Sequence, residues 1–419
     1  MNDINKKIES KKKFLKNFFS LFIVQGTNYL LPLITFPYLL KVIGVANFGV
    51  LALATATIAF FAVITDYGFN FTATREISLL KDNKIEVVKI FSSVMLIKFA
   101  LMIICFIALI LLVNLIPKFQ ENSLIYILSF GVVIGQVFFP IWFFQGMEEM
   151  QFISIINVIS RIVSTLCIFV FINSIQDFIL VPIFLSLGNI LGGFYSIYLI
   201  YSKFKVGFEI QPLSEIKKHI KSGFNLFLTN FMGTLLTSSG VIILGIYTTN
   251  NIVGIYSATE KIFRSLVGLF SPVTQALYPI SCRIFNNYNI LDQKRYFVKM
   301  ILSILFLTIF LSTIVMIFSK EILNIFYGNT LNDWNYILQI MMVWLIFSVM
   351  NNIIGVQYLS AKRREKQYSL AFAIAALITV VMNFILIPIF NINGIVISMI
   401  FGEIMLTILM LNLFKRKKI

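Results

Sequence analysis

Twelve apolar blocks, each close to 20 residues long, follow one another along this chain of 419 residues. About 20 mostly apolar residues are what an α-helix needs to cross the hydrocarbon core of a bilayer. Only 12% of the residues are charged and 59% are hydrophobic, a balance that excludes a soluble globular protein. The sequence therefore predicts an all-α integral membrane protein with about twelve transmembrane helices, at residues 17–40, 46–67, 90–113, 122–144, 151–173, 178–200, 223–247, 253–278, 300–318, 334–357, 368–389 and 392–414.

The 34 lysines and arginines indicate how these helices are oriented, because short cytoplasmic loops collect basic residues. In the twelve-helix arrangement, 27 of them fall on the side of the two termini, and three, Lys41, Lys118 and Lys320, fall on the other side. Both termini are therefore predicted to be cytoplasmic. The basic clusters lie at helix ends rather than on one continuous surface, which argues against a nucleic-acid partner.

The two halves of the chain show weak similarity at an offset of 205 residues. The matches are Gln25 with Asn230, Gly49 with Gly254, Val50 with Ile255, and Ala52 with Ser257. Because they are few, both an internal duplication and chance similarity remain open. We predict an N-terminal lobe at 1–200, a cytoplasmic linker with a short basic surface helix at 201–222, and a C-terminal lobe at 223–419. Each lobe would contain six helices, and a duplication would make the lobes parallel repeats.

Ionisable groups inside the predicted membrane helices are the first candidates for function, because a charge at the bilayer centre costs at least about 2.5 kcal/mol. Two carboxylates, Glu260 and Glu403, lie at comparable depth to four cations, which leaves a surplus of positive charge. The four cations are Lys98, Arg161, Lys261 and Arg264.

Two interpretations of this surplus are open. Each cation could be neutralised by a buried partner, for example Lys261 or Arg264 by Glu403, or could reach the membrane surface. Alternatively, the cations line a central water-filled cavity between the two lobes that attracts an anionic substrate, since arginine suits phosphate oxygens. We favour the cavity and therefore predict that all four cations bind substrate.

Other candidate residues have weaker signals. Asp66, Glu260 and Glu403 are candidates for ion coupling or gating, although Asp66 could instead pair locally with Arg75. Pro32 and Pro37 should bend the first helix, and His219 is expected in the surface linker without a ligand role. Two glycine pairs are interpreted as helix-packing devices: Gly131 with Gly135, and Gly188 with Gly192.

Enzyme and cofactor signatures are not found in the sequence. There is no phosphate-loop, dinucleotide-binding or zinc-protease pattern. The three cysteines, Cys105, Cys167 and Cys282, are too widely spaced for a metal site or a disulfide framework. We therefore expect no metal, no cofactor and no enzymatic activity.

The segment 142–148, Trp-Phe-Phe-Gln-Gly-Met-Glu, followed by Arg161, resembles the polysaccharide flippases. These are the Wzx-type O-antigen transporters of the multidrug/oligosaccharidyl-lipid/polysaccharide exporter superfamily. Further matches are spread over most of the chain: Gly44 with Phe48-Gly49, Asp66-Tyr67-Gly68-Phe69 with Thr74-Arg75, and Asn393-Gly394. Of the four cations, the recognisable motifs include only Arg161.

The resemblance implies two six-helix lobes around a central cavity in the bacterial cytoplasmic membrane. It also implies that an undecaprenyl-diphosphate-linked oligosaccharide is moved to the outer leaflet by alternating access. The expected partners are this lipid-linked substrate, membrane lipids and other polysaccharide-assembly proteins.

Two alternatives are kept. One is a cation-coupled drug antiporter of the same superfamily, which would prefer a net acidic cavity. The other is a membrane polysaccharide polymerase or ligase, which would need a sizeable outward loop with catalytic residues. The longest candidate loop, around 319–333, is short and its only charged residues are Lys320, Glu321 and Asp333.

Overall fold

The computed structural model describes the backbone of residues 2–415 and the side chains of residues 31–412 except 272 and 276. Every regular element in this part of the chain is helical. The α-helices are α1 (Asn2–Asp66), α2 (Phe69–Leu80), α3 (Lys84–Leu115), α4 (Pro117–Gln120), α5 (Ser123–Ser129), α6 (Gly131–Phe138), α7 (Ile141–Gly146), α8 (Met150–Phe171), α9 (Leu180–Ser202), α10 (Leu213–Tyr247), α11 (Asn250–Asn287), α12 (Ile290–Ile317), α13 (Ser319–Tyr327), α14 (Asn335–Asn352), α15 (Glu365–Phe390) and α16 (Ile392–Lys415). Two short 3₁₀ helices, Ile175–Ile179 and Gly328–Trp334, precede α9 and α14, and a π-helix, Ile353–Ser360, follows α14.

Ten helical stretches of the described chain are long and apolar enough to cross a membrane. One of them, Leu31–Leu80, combines the end of the first predicted span with the second. Helix α11, which contains the predicted eighth span, is absent from the ten and contains Glu260, Lys261 and Arg264. The prediction of an all-α membrane protein with about twelve transmembrane helices is confirmed.

Helix α1 is interrupted at Gly44, where φ is 81° and ψ is 162°. Only glycine adopts this backbone conformation readily, because it lacks a β-carbon. Pro32 and Pro37 lie within helical backbone, so the break in the helix is not at the prolines. The chain turns from the first predicted span to the second without a separate loop.

The chain divides into two compact units that are not continuous in sequence. The first contains α1 as far as Tyr38 together with Ala54–Phe231. The second contains Leu39–Leu53 and the chain from Met232 onward. Helix α1 therefore contributes to both units.

In the second unit, the segment of α1 after Gly44 crosses α11 at a pair of glycines. A β-carbon on Gly49 would overlap the carbonyl oxygen of Asn250 and lie 2.8 Å from the backbone nitrogen of Gly254. A β-carbon on Gly254 would in turn overlap the carbonyl oxygen of Val45. Only glycine permits the two backbones to approach this closely.

This crossing is reciprocal at the offset seen in the sequence. An offset of 205 residues relates Val45 to Asn250 and Gly49 to Gly254. The contact between Gly49 and Asn250 is therefore equivalent to the contact between Gly254 and Val45. The break at Gly44 likewise corresponds to Thr249, the N-cap of α11. Such reciprocal contacts, in which each segment uses the same positions, are expected where symmetry-related copies of one segment meet. The structure therefore supports the duplication that the sequence left open.

In the first unit, α9 packs closely against α6 on one side and α8 on the other through small residues. A β-carbon on Gly135 would overlap the backbone of Asn189, and one on Gly188 would overlap the backbone of Ser160. The predicted role of the two glycine pairs in helix packing is confirmed.

Candidate functional site

Arg264 and Glu260 form a salt bridge within α11 of the second unit. The two side chains lie four residues apart on one helical face. Nε and Nη2 of Arg264 donate to the same oxygen, Oε1 of Glu260, at 2.9 and 2.6 Å. Nη2 also donates to the carbonyl oxygen of Thr237 on α10 at 3.0 Å. The side chain of Glu260 is only 7% exposed, whereas that of Arg264 is 37% exposed.

Glu403, on α16, is held by neutral donors. Nδ2 of Asn351 donates to Oε2 of Glu403 at 2.6 Å, and Nε1 of Trp344 donates to Oε1 at 3.3 Å. Thr407 in turn donates to Oδ1 of Asn351 at 2.7 Å. Glu403 is also close enough to Arg264 for electrostatic attraction. A network of polar groups thus connects α11, α14 and α16 inside the apolar second unit.

Lys261 is half-buried beside this network and interacts electrostatically with both Glu260 and Arg264. The predicted cations Lys261 and Arg264 and the predicted carboxylates Glu260 and Glu403 therefore belong to one cluster.

Lys98 and Asp66 form a buried ion pair in the first unit. Lys98 on α3 is 1% exposed, and its Nζ lies 3.4 Å from Oδ1 of Asp66 at the end of α1. Asn70 on α2 donates to the other carboxylate oxygen at 2.9 Å. Asp66 thus contacts Lys98 and Asn70, whereas Arg75 was its expected local partner.

Arg161 is half-buried in the middle of α8. It shares a helical face with Ser154 and Ile168, seven residues before and after it, and both of these are buried. The exposed residues Ile159 and Ile162 lie on other faces. Within the described part of the chain, no carboxylate lies within ion-pair distance of Arg161. Its role in binding an anionic substrate stays a prediction.

The interpretation in which a buried carboxylate neutralises an intramembrane cation thus applies to Lys98 and Arg264. Their carboxylate partners, Asp66 and Glu260, lie in α1 and α11, so each of these two cations is paired within its own unit. The role of the four cations in substrate binding stays a prediction.

Sequence reasoning missed the neutral members of the cluster in the second unit. Thr237, Trp344 and Asn351 are uncharged residues within mainly apolar helices. Asn351 is 3% exposed, and a buried amide in a membrane helix needs a polar partner. The position of Asn351 within the predicted tenth span indicated a buried polar partner. The sequence did not identify that partner as Glu403 on α16.

His219 is the single histidine of the chain, and its expected place in a surface linker is wrong. The predicted surface helix is instead the first part of α10, which continues without a break to Tyr247. His219 is 3% exposed, and its Nδ1 lies 3.3 Å from Oε2 of Glu76 on α2. It joins α10 to α2 within the first unit.

The segment 142–148, which carried the family resemblance, has a packing role. Trp142, Phe143 and Phe144 are fully buried in α7. The Thr74 hydroxyl on α2 lies 3.2 Å from the carbonyl oxygen of Trp142 and 3.3 Å from Oε1 of Gln145. Two of the motifs recognised in the sequence therefore contact each other where α7 packs on α2.

The residues that the structure describes include no group of three or more histidine, cysteine or acidic side chains that could hold a metal ion. The chemistry offered by the two clusters is the binding of ions and polar groups by arginine, lysine, carboxylate and amide side chains.

Solved structures with the same fold are membrane transporters. The chain is similar to an inward-facing multidrug resistance MATE family transporter of the MOP superfamily, with a TM-score of 0.74 and 12% identity over 96% of this chain and 100% of that one. It is equally similar to the lipid II flippase MurJ in an inward closed conformation, with a TM-score of 0.74 and 18% identity over 95% of this chain and 87% of that one. The chain therefore shares the fold of these two membrane transporters.

Residues 14–285 match the model of the family described as polysaccharide biosynthesis protein, and the chain belongs to this family. It is 28% identical to a protein of Escherichia coli K12 over 98% of this chain and 99% of that protein. It is 26% identical to a protein of Shigella dysenteriae over 96% of this chain and 100% of that protein. Both relatives bear the name "Putative O-antigen transporter". The family resemblance identified from the sequence is confirmed.

Proposed function

We propose that this protein is a flippase that moves undecaprenyl-diphosphate-linked oligosaccharide repeat units across the bacterial cytoplasmic membrane by alternating access. The family and the names of the relatives support a lipid-linked polysaccharide as the transported class. The fold shared with a lipid II flippase is consistent with a large lipid-linked substrate. Since these relatives are named as transporters, the proposed cycle involves no covalent chemistry.

The observation that carries the proposal is the partly exposed side chain of Arg264. It lies fourteen residues into α11, on the order of 20 Å along the helix axis, within a segment that is otherwise mainly apolar. An arginine at this depth is costly unless it has a function or a partner. Its guanidinium group binds phosphate oxygens through two parallel hydrogen bonds, which suits the diphosphate of the substrate.

Arg161, in the first unit, is a further candidate for substrate binding, because no carboxylate within ion-pair distance competes for it among the described residues. We propose that Lys261 adds positive charge beside Arg264, and that Lys98 joins only in a state that separates it from Asp66. Asp66, Glu260 and Glu403 remain the candidates for coupling or gating. The relatives are named as O-antigen transporters, which disfavours the alternative of an antiporter for cationic drugs.

The test is complementation of a strain that lacks the gene. Loss of the protein should cause lipid-linked repeat units to accumulate on the cytoplasmic leaflet, and the intact chain should restore their export. Arg264→Ala should fail to restore export while reaching normal abundance in the membrane. Arg283→Ala is the matched control, because it removes an exposed arginine from the same helix and should restore export fully.

Two results would contradict the proposal. Unpolymerised units that accumulate on the outer side of the strain lacking the gene would indicate a polymerase. Full export by Arg264→Ala would show that the intramembrane arginine does not bind the transported headgroup. The sugar-assembly proteins that would supply or receive the substrate are expected partners and would be identified by cross-linking in the same strain.

A further inference from the structure

The salt bridge between Arg264 and Glu260 leaves the arginine only partly engaged. Both donor atoms, Nε and Nη2, are directed to a single carboxylate oxygen, Oε1 of Glu260. The guanidinium therefore keeps more than a third of its side-chain surface exposed, while Glu260 is almost fully buried behind it. A diphosphate approaching Arg264 would meet the arginine first and compete with Glu260 for its donors.

The hydroxyl group of Tyr256 lies on the same face of α11, one helical turn before Glu260. Tyr256 is fully buried, and its hydroxyl has no hydrogen-bond partner among the residues that the structure describes. It interacts electrostatically with both Glu260 and Arg264, so all three groups are close. A buried hydroxyl without a partner is unfavourable, which indicates that another state of the protein satisfies it.

We propose that Glu260 binds Arg264 when no substrate is present and that a substrate phosphate displaces it. The Tyr256 hydroxyl then donates a hydrogen bond to the released carboxylate of Glu260. This inference depends on the proposed function, because it uses the same arginine and the same diphosphate-bearing class of lipid. It assigns Glu260 and Tyr256 as positioning residues that control the affinity of the site.

The exchange keeps the charges of the site compensated in both states. Without substrate, Glu260 compensates Arg264 within the membrane, where an unpaired arginine is costly. With substrate, the phosphate compensates Arg264, and the released Glu260 keeps Lys261, the next residue, as an electrostatic partner. The intramolecular carboxylate also prevents the site from binding a phosphate so tightly that release on the far side becomes slow.

The experiment measures binding of undecaprenyl diphosphate to the full chain in lipid nanodiscs, with undecaprenol as the probe that lacks phosphate. Glu260→Gln removes the competing charge but keeps the shape, and we expect it to bind undecaprenyl diphosphate about tenfold more tightly than the natural protein. Transport by Glu260→Gln should be slower because release is slower. Binding of undecaprenol should be unchanged.

Tyr256→Phe provides the second variant and a specific signature. It should weaken binding of undecaprenyl diphosphate about threefold in the natural protein, because the released carboxylate loses its donor. The same change should have a smaller effect in the Glu260→Gln background, where the released side chain is a neutral and weaker acceptor than a carboxylate. This double-mutant comparison separates the exchange from a general structural effect of losing the hydroxyl. Thermal melting of each variant verifies that it is folded.

Arg264→Ala distinguishes a failure of the proposed exchange from a failure of the proposed function. If Arg264→Ala loses phosphate-dependent binding but Glu260→Gln binds no more tightly than the natural protein, the exchange is refuted and the proposed function stands. Equal effects of Tyr256→Phe in the two backgrounds would also refute the exchange. If Arg264→Ala binds undecaprenyl diphosphate normally, the site itself is wrong and the proposed function loses its supporting observation.

Discussion

Replacing Gly49 by alanine should destabilise the crossing between α1 and α11 in the second unit. The new β-carbon would overlap the carbonyl oxygen of Asn250 and lie 2.8 Å from the nitrogen of Gly254. Ordinary contact begins at 3.4 Å, so the second of these contacts alone requires the backbones to separate by about 0.6 Å. Both opposing atoms belong to the backbone and cannot turn aside as a side chain would.

The expected loss of stability is about 1–3 kcal/mol, the usual effect of forcing an additional group into a close-packed interior. It should be measured as a lower melting temperature of the detergent-solubilised protein and as lower abundance in the membrane. Gly254→Ala should behave similarly, because the contact is reciprocal. The double variant should lose less than the two single variants together, since the helices are already separated after the first change.

Gly233→Ala is the matched control. Gly233 lies in α10 of the same unit, and the nearest atom to its added β-carbon is a side-chain atom of Phe372 at 3.9 Å. Alanine there meets no obstruction and favours the helix, so the melting temperature should stay the same or rise. Equal melting temperatures for Gly49→Ala and Gly233→Ala would refute the close approach of α1 and α11.

Three further predictions concern the first unit and the topology. Asp66→Asn should leave Lys98 buried without its counter-charge and lower stability by roughly 3–5 kcal/mol in thermal melts. The double variant Asp66→Asn with Lys98→Met should recover most of this loss. An unchanged melting temperature of Asp66→Asn would contradict the ion pair. Gly135→Ala should lower the melting temperature by forcing α6 away from the backbone of α9, and an unchanged value would contradict that packing. A reporter that is active only in the cytoplasm should be active when fused to either terminus and inactive when inserted at 319–333, and the reverse pattern would refute the orientation derived from the basic residues.

The helical class and the number of spans could be predicted because they depend on local composition. Apolar segments near 20 residues identify membrane helices without knowledge of their neighbours. The exception is informative: α11 includes charges and is missed by a hydropathy criterion, although its position was predicted. The break at Gly44 was not predicted, because a glycine that allows a chain reversal has the same local signal as one that allows close packing.

The charges of the candidate site were found from sequence, but their partners were not. Glu260 lies four residues from Arg264, a spacing that predicts contact on one helical face. Asp66 and Lys98 lie 32 residues apart on different helices, and Asn351 and Glu403 lie 52 apart. Pairing between helices depends on their relative rotation and depth, which a single sequence does not specify. The burial of His219 was missed for the same reason, because Glu76 lies on a separate helix.

The course of α1 has a consequence for attempts to divide the chain into halves. The fifteen residues Leu39–Leu53 are encoded in the first half but complete the second unit. A fragment that begins at the linker would lack the backbone of α1 that packs on α11 at Gly254. A fragment that ends at the linker would carry the segment Leu39–Leu53 without the helix on which it packs. Separate expression of the halves should therefore give insoluble or degraded products, whereas co-expression should allow the missing segment to be supplied from the other fragment.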